Sequence, residues 1–142
     1  MASYYLNEAA IDLPERTFDD KTIHGLEAKL PGDKTLGVFV HRRAVEGDKN
    51  LRELVDEHVR LNQQRLMGFT VIEDARAAVG GEPGVVLRTR WRIEKRELCQ
   101  LQAHVVREGQ HMVFAVSGPL DERAACDETF DSLLSTLTWR TD

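Results

Sequence analysis

The sequence predicts an α+β fold: an antiparallel β-sheet with two main helices packed on one face. Three observations predict it: residues 85–117 form three consecutive runs of alternating polarity, two other segments have helical spacing of apolar residues, and the order is strands, helix, four strands, helix. A chain of 142 residues is one domain by length and buries roughly two-thirds of its unfolded surface. We therefore expect a single domain over residues 1–142.

The amino-terminal segments are extended and separated by turn signals. Tyr4–Leu6 and Ala9–Leu13 are typical of a short hairpin or of paired extended segments that end at Pro14. Residues 21–30 predict a strand, because the turn sequence PGD at 31–33 follows directly.

Residues 36–43 (LGVFVHRR) predict the next strand. Its alternation places Val38 and Val40 on one face and Phe39 on the other, together with Gly37. Both faces of this strand therefore carry apolar side chains.

The period then changes to that of an amphipathic helix. Asp48 or Asn50 can cap its beginning, and Gly68 its end. One stripe of the helix contains the residues at spacings of three and four, namely Leu51, Leu54, Val55, His58, Val59, Asn62 and Leu66.

Four strands follow this helix. The first covers residues 69–77, and the glycine-rich segment 80–84 connects it to the central three strands at 85–94, 98–107 and 111–117. In each central strand one face is more apolar than the other. The register between the strands then decides which residues share a face of the sheet.

Turn lengths predict this register. A two-residue turn at Glu108-Gly109 aligns the apolar faces of the last two strands, in the pairs Val105 with Met112, Ala103 with Phe114 and Leu101 with Val116. A three-residue loop at 95–97 aligns the first two, in the pairs Ile93 with Cys99 and Trp91 with Leu101. The second face of the sheet is then predicted to carry Arg88, Arg90, Arg92, Leu98, Gln100, Gln102, His104, Val113 and Ala115.

A second helix closes the chain. It begins near Pro119 and Asp121, and its predicted buried side consists of Phe130, Leu133, Leu134 and Leu137. Residues 138–140 follow as a short strand or a tail.

Charge and cysteine usage favour a cytoplasmic protein that does not bind nucleic acid. The net charge of -5 argues against a nucleic-acid partner. The row Arg88, Arg90 and Arg92 could contact a bound guest, a partner subunit or only water. Cys99 and Cys126 are expected as buried thiols rather than as a disulfide or a metal pair. We expect no stable membrane insertion, because no apolar run approaches ~20 residues, and no signal peptide is recognisable.

Known catalytic and metal-binding patterns do not match this sequence. The five histidines are not at ligand spacing, and the segment GGEPG lacks the lysine and hydroxyl residue of a phosphate-binding loop. No nucleophile, base and orienting group can be assembled from the spacings. The expectation is a protein without enzyme activity, metal or cofactor.

The second face of the sheet is the candidate functional surface. A solvated polar face is one interpretation. The other is a groove for a mostly apolar guest such as a transmembrane helix, lined by Val38, Val40, Leu98, Val113 and Ala115 and by the amides Gln100 and Gln102.

Several segments resemble a known family. They are YYLNEAAIDLPE at 4–15, FDDKTIHGL at 18–26, LGVFVHRR at 36–43, GFTVIEDARAAVGGEPGVVLRTRW at 68–91 and FDSLLSTLTWR at 130–140. Together they are similar to the Eag chaperones of type VI secretion, in the DcrB-like family. The resemblance implies a PsbP/Mog-like fold, an antiparallel sheet flanked by helices.

The resemblance also implies a role. Eag chaperones are cytoplasmic homodimers that cradle the amino-terminal transmembrane segments of PAAR-domain or Rhs-type effectors until these load onto the VgrG spike. The matching positions imply a groove of Ile23, Val38, Val40, Leu98, Gln100 and Gln102. Gly25 departs from the apolar pattern of relatives and either admits a closely approaching helix or marks a bulge. With Ala115 these residues form the predicted binding site.

The sequence is also compatible with a second function. Because fold does not fix function, the chain could instead be a PsbP/Mog-like module that binds a small molecule or a protein without effector-chaperone activity. This alternative predicts a monomer that does not depend on an effector.

Overall fold

The computed structural model describes residues 23–140, together with the strands at 2–5 and 10–13. These two amino-terminal strands, β1 (Ala2–Tyr5) and β2 (Ala10–Leu13), pair antiparallel in a small separate sheet. The predicted pairing of the amino-terminal segments is thus confirmed for these strands.

Six antiparallel strands form the main sheet, in the order β3-β4-β8-β7-β6-β5. They are β3 (Ile23–Leu30), β4 (Lys34–Ala44), β5 (Met67–Val79), β6 (Glu82–Ile93), β7 (Arg96–Arg107) and β8 (Gln110–Pro119). Helix α1 (Leu51–Arg65) lies between β4 and β5, and helix α2 (Arg123–Thr136) follows β8 after a short 3-10 turn, Leu120–Glu122. The α+β class, with one main antiparallel sheet and two helices, is confirmed.

Local sequence signals set the limits of α1. Asn50 begins the helix in a capping box, in which its side-chain oxygen accepts a hydrogen bond from the Glu53 backbone N–H at 2.9 Å. The helix ends at Arg65, and Leu66 is already extended. Gly68 was predicted to cap the end of this helix, and that prediction is wrong. Gly68 lies in β5 at φ 65, beside an irregularity in the pairing with β6.

The register of β7 and β8 is as predicted. Val105 pairs with Met112, Ala103 with Phe114 and Leu101 with Val116. The two-residue turn between these strands places Glu108 at φ 52 and Gly109 at φ 73.

The predicted register of β6 and β7 is wrong. The turn has two residues, Glu94 and Lys95, with Glu94 at φ 55, so that Trp91 pairs with Leu98 rather than with Leu101. The prediction assumed that only one face of these strands is buried. Both faces of the central strands are buried, so alternation of polarity could not determine the register.

The two helices pack on opposite faces of the sheet, which corrects the prediction that both lie on one face. Helix α2 places Cys126 and Phe130 on the face that carries Leu101, Ala103, Val105 and Val116, which we call the α2 face. Helix α1 places Val55 against Val85 and Leu87, on what we call the α1 face. Each face is covered in part by one of the two helices. Each face therefore carries apolar side chains that pack against its helix.

The carboxy-terminal segment returns across the sheet as a tail and not as a strand. The indole Nε1 of Trp139 donates a hydrogen bond to the Gly80 carbonyl at 2.8 Å, and the Arg107 guanidinium lies 4.7 Å from the ring centroid. Phe130, Leu133, Leu134 and Leu137 pack on the α2 face, as predicted for the buried side of α2.

Candidate functional site

Among the described residues, no helix covers the α1 face beside β3 and β4. Helix α1 packs mainly on β5, β6 and β7. The uncovered part carries Ile23 and Gly25 of β3, Phe39 of β4, and Leu98 and Gln100 of β7. We call these five residues the open surface.

The structure brings six of the eight predicted site residues to one face. Across the sheet, Gly25 pairs with Phe39, Phe39 with Ala115, and Ala115 with Gln102. Because directly paired residues project to the same side, this row and its neighbours belong to one face. The six residues on the α1 face are Ile23, Gly25, Leu98, Gln100, Gln102 and Ala115.

Val38 and Val40 lie on the opposite face, which corrects their assignment to the groove. Val38 pairs with Val116 and Val40 with Phe114, so both project to the α2 face. No turn joins β4 to β8, so their register could not be predicted, and the two valines were placed with the wrong neighbours. Phe39 occupies the corresponding place on the α1 face.

Phe39 also explains the two glycines beside it. A Cβ at Gly37 would lie 2.6 Å from the Phe39 ring, and a Cβ at Gly25 would lie 3.7 Å from it. The Phe39 ring thus lies over the backbone of these two glycines, where no side chain blocks it. Pairing of β3 with β4 is continuous from Ile23 to Leu30, so Gly25 does not mark a bulge and the space beside it holds Phe39.

A large cleft continues the open surface at one end of the sheet. Its cavity volume is about 1090 Å³, and Gly37, Phe39, Leu98 and Ser117 line it. Charged residues of both signs also line it, from β3, from the β3–β4 and β6–β7 turns and their flanks, and from the segment after β8, namely Glu27, Asp33, Lys34, Lys95, Arg96, Glu97, Asp121 and Arg123. The cleft combines an apolar sheet floor with a charged rim.

Exposure separates the predicted site residues into two layers. Ile23 is 62% exposed, and Leu98 and Gln100 are partly exposed. Gln102 and Ala115 are 1% and 2% exposed, so they support the surface from beneath. A guest on this face would contact the first layer only.

A chain of side-chain hydrogen bonds lies under the surface. The Gln102 Nε2 donates to the Gln100 Oε1 at 2.7 Å, so the Gln102 Oε1 accepts from the His104 Nε2 at 2.8 Å. His104 Nδ1 is then the acceptor for His111 Nε2 at 3.0 Å. The chain ends at the partly exposed amide of Gln100 and fixes its orientation. The sequence did not predict this network: the register of β7 and β8 brings residues 104 and 111 near each other, but the side-chain orientations that make the hydrogen bonds do not follow from it.

Burial keeps the histidines of this network neutral. His58 of α1 contacts the edge of His104, with ring centroids 4.9 Å apart. Burial lowers the pKa of His58 to about 4 and that of His111 to about 4, and it lowers the pKa of His104 as well. Near pH 7 all three rings are uncharged, as the directed hydrogen bonds require.

The predicted arginine row lies on the α2 face and not beside the glutamines. Arg88 Nη1 donates to Asp127 of α2 at 2.8 Å, and its Nε donates to Glu73 of β5 at 3.5 Å. Hydrogen bonding to Asp127 raises the pKa of Arg88. Arg90 and Arg92 belong to the same face through the register of β6 and β7, and both are exposed. At least Arg88 therefore has an explanation within this chain.

In the described part of the chain, no three His, Cys, Asp or Glu side chains are arranged to hold a metal ion. None of the helices there combines the length and the apolar character needed to span a bilayer.

Comparison with solved structures shows what the fold resembles. A Pseudomonas aeruginosa protein of unknown function matches 100% of this chain and 99% of its own, with 20% identity and a TM-score of 0.81. LpqN of Mycobacterium tuberculosis, described as involved in cell envelope biogenesis, matches 80% of this chain and 69% of its own, at 12% identity and a TM-score of 0.61. The cyanobacterial PsbP of Synechocystis matches 79% of each chain, at 16% identity and a TM-score of 0.54. The fold is thus PsbP-like.

Sequence comparison identifies the family. No curated protein matches. The family model described as DcrB matches residues 8–136, which is most of the chain and includes every residue of the open surface. The chain therefore belongs to the DcrB family.

Proposed function

We propose that this protein is a non-catalytic cytoplasmic chaperone that shields the amino-terminal transmembrane segments of a PAAR-domain or Rhs-type effector and aids its loading onto the VgrG spike. The observation that carries the proposal is the open surface with its cleft, an apolar strand surface that no described helix covers. Membership of the DcrB family and the resemblance of the motifs to Eag chaperones support it.

The chemistry of the open surface suits a transmembrane segment. Such a segment exposes ~20 apolar residues, and burying its surface stabilises the complex by roughly 25 cal/mol per Å². Ile23, Phe39 and Leu98 supply apolar contacts for it. Small residues in membrane helices allow close approach to a flat strand surface.

Polar groups at the open surface can bind the polar groups of a transmembrane segment and of the residues that flank it. The amide of Gln100 is held by Gln102 and is partly exposed, so it can serve a hydroxyl or carbonyl group that lipid does not serve. The charged rim of the cleft matches the polar residues that flank a membrane segment. A homodimer would enclose more of the guest than one protomer, and we include it in the proposal.

Co-expression with the amino-terminal region of a PAAR-domain effector tests the proposal. The variant Ile23→Asp places a charge on the open surface, and we expect it to reduce recovery of the soluble complex at least tenfold. Leu26→Asp is the matched control, because Leu26 lies in the same strand, is 70% exposed and projects to the α2 face. Failure of the unmodified protein to retain the guest would contradict the proposal. Equal losses in both variants would contradict the assigned surface.

A second candidate function is a binding module for a small polar molecule or a protein, without chaperone activity. The observation that favours it is the charged rim, where Lys34, Lys95, Arg96 and Arg123 surround one end of the cleft. It predicts a monomer whose thermal stability does not respond to the effector segment. Sedimentation of the purified chain with and without the segment distinguishes the two candidates.

A further inference from the structure

The two cysteines of the chain meet beneath α2. Cys99 of β7 pairs directly with Gly118 of β8, and a Cβ at Gly118 would lie 2.9 Å from the Cys126 sulfur. Paired positions in adjacent antiparallel strands have Cβ atoms about 4.5–5.5 Å apart on the same face. The Cys126 sulfur therefore lies over the Cys99–Gly118 pair, in the same buried cluster as Cys99. The absence of a side chain at Gly118 allows this approach.

The two thiols have different surroundings. The Cys99 thiol donates to the Pro119 carbonyl at 3.8 Å. A hydrogen bond from the Cys126 thiol lowers the pKa of Cys99, against the opposing effect of burial, and the same contact raises the pKa of Cys126. Cys99 is therefore the thiol that ionises first, and Cys126 remains protonated beside it.

The two thiols lie close to residues of the cleft. Cys126 is fully buried and Cys99 is 6% exposed. Gly118, Pro119 and Ala124 line the cleft, and they are neighbours of the two cysteines in the pairing or in the chain. A small oxidant in the cleft would therefore be separated from the thiols by few residues.

We propose that Cys99 and Cys126 form an oxidisable pair, which hydrogen peroxide converts into an intramolecular disulfide that joins β7 to α2. The Cys99 thiolate attacks one peroxide oxygen, the O–O bond breaks, and the other oxygen leaves as hydroxide and takes up a proton to become water. The Cys126 sulfur then attacks the Cys99 sulfenic acid; the S–S bond forms, the S–O bond breaks, and the leaving hydroxide takes the Cys126 thiol proton to become a second water. Two thiols lose two electrons in total, and one peroxide accepts them.

This disulfide would constrain the unfolded chain across β8 and fix the beginning of α2 beside the cleft. Loop closure of this kind stabilises small proteins, and we expect a rise in the melting temperature of roughly 5 °C or more. The inference does not depend on the proposed chaperone function.

Peroxide treatment of the reduced, purified full-length chain tests the proposal. We expect both thiols to be lost to alkylation under denaturing conditions, a monomer mass lower by two hydrogens, and a tryptic fragment that joins residues 99 and 126. Dithiothreitol should restore both thiols and the original melting temperature. If both thiols remain free while peroxide oxidises an added free thiol peptide, or if only sulfinic or intermolecular products form, the proposal is wrong.

The variants Cys126→Ser and Cys99→Ser separate the two roles. Cys126→Ser should leave a Cys99 sulfenic acid that dimedone traps, whereas Cys99→Ser should give at least tenfold less trapping at Cys126. Neither variant should gain thermal stability from peroxide. Equal trapping in both variants would contradict the assignment of Cys99 as the attacking thiol. Circular dichroism verifies folding, and peptide mapping of the unmodified chain does not depend on either variant.

Discussion

His58, His104 and His111 join α1 to two strands through neutral rings. His104 is fully buried and uses both ring nitrogens, one with Gln102 and the other with His111. Protonation of His104 would add a donor where His111 already donates. The orientation of the Gln100 amide at the open surface thus depends on rings that must remain uncharged.

We expect the chain to lose stability as the pH falls from about 6.5 toward 4. Above an unfolded pKa of about 6.5 these rings are neutral in both states and contribute no pH dependence. Below it the unfolded state binds protons that the folded state does not bind until its pKa of about 4 is reached for His58 and His111. Each of these two groups then accounts for roughly 3 kcal/mol across the full interval.

Urea unfolding at pH 7.5, 6.0 and 5.0 measures this effect. His58→Leu should flatten the profile, because it removes one group with a lowered pKa. His24→Gln is the control, since His24 is exposed on β3 and lies on the face opposite the histidine network. A wild-type free energy of unfolding that is constant over this range would contradict the neutral network.

Gly80 and Gly81 are adjacent glycines with different surroundings, so the effects of alanine at the two positions can be compared. Both have positive φ, 59 and 82, so alanine is strained at each. A Cβ at Gly80 would also collide with the Leu137 side chain and lie 2.6 Å from Trp139 Nε1, whereas a Cβ at Gly81 would meet nothing within 4 Å. We expect Gly80→Ala to cost about 2–4 kcal/mol and Gly81→Ala about 1 kcal/mol.

Chemical denaturation followed by tryptophan fluorescence measures both variants, and Trp139 reports on the contact directly. Equal costs for the two alanine variants would mean that crowding by Leu137 and Trp139 at Gly80 does not destabilise the folded state.

At the scale of elements, α1 depends on its amino-terminal cap. Asn50→Ala removes the acceptor for the Glu53 N–H and should lower the free energy of unfolding by about 1 kcal/mol. Asn50→Asp retains an acceptor oxygen and should restore most of the loss. Thermal unfolding of the three proteins measures these changes, and an alanine variant as stable as the aspartate variant would contradict the cap.

Element positions followed from the sequence, but their relative alignment followed only in part. The turn at Glu108-Gly109 has one natural length, and it correctly predicted how Leu101, Ala103 and Val105 meet β8. The turn at Glu94-Lys95 does not contain a glycine, and Glu94 adopts positive φ there, which a non-glycine residue adopts at a cost. No local signal in the sequence therefore indicated the shorter turn.

At the scale of the whole molecule, one helix on each face explains which site residues were predictable. Ile23 and Gly25 came from the family resemblance, and the pairing of β3 with β4 puts them on the α1 face. Leu98, Gln100, Gln102 and Ala115 were placed together correctly, because alternation along β7 and β8 and the turn between these strands set their register. Val38 and Val40 were not, because β4 is apolar on both sides and only its pairing with β8 assigns Phe39 to the α1 face. A strand with apolar side chains on both faces has no polarity pattern that shows which face meets which neighbours.

The central claim is that a guest's apolar segment binds the open surface and not the α2 face. Photo-crosslinking from benzoylphenylalanine tests it most directly, at position 39 on the open surface and at position 26 on the opposite face of the adjacent strand. We predict that the effector segment crosslinks from position 39 and at least tenfold less from position 26. Crosslinking mainly from position 26, or none from position 39 in a complex that still co-purifies, would contradict the account.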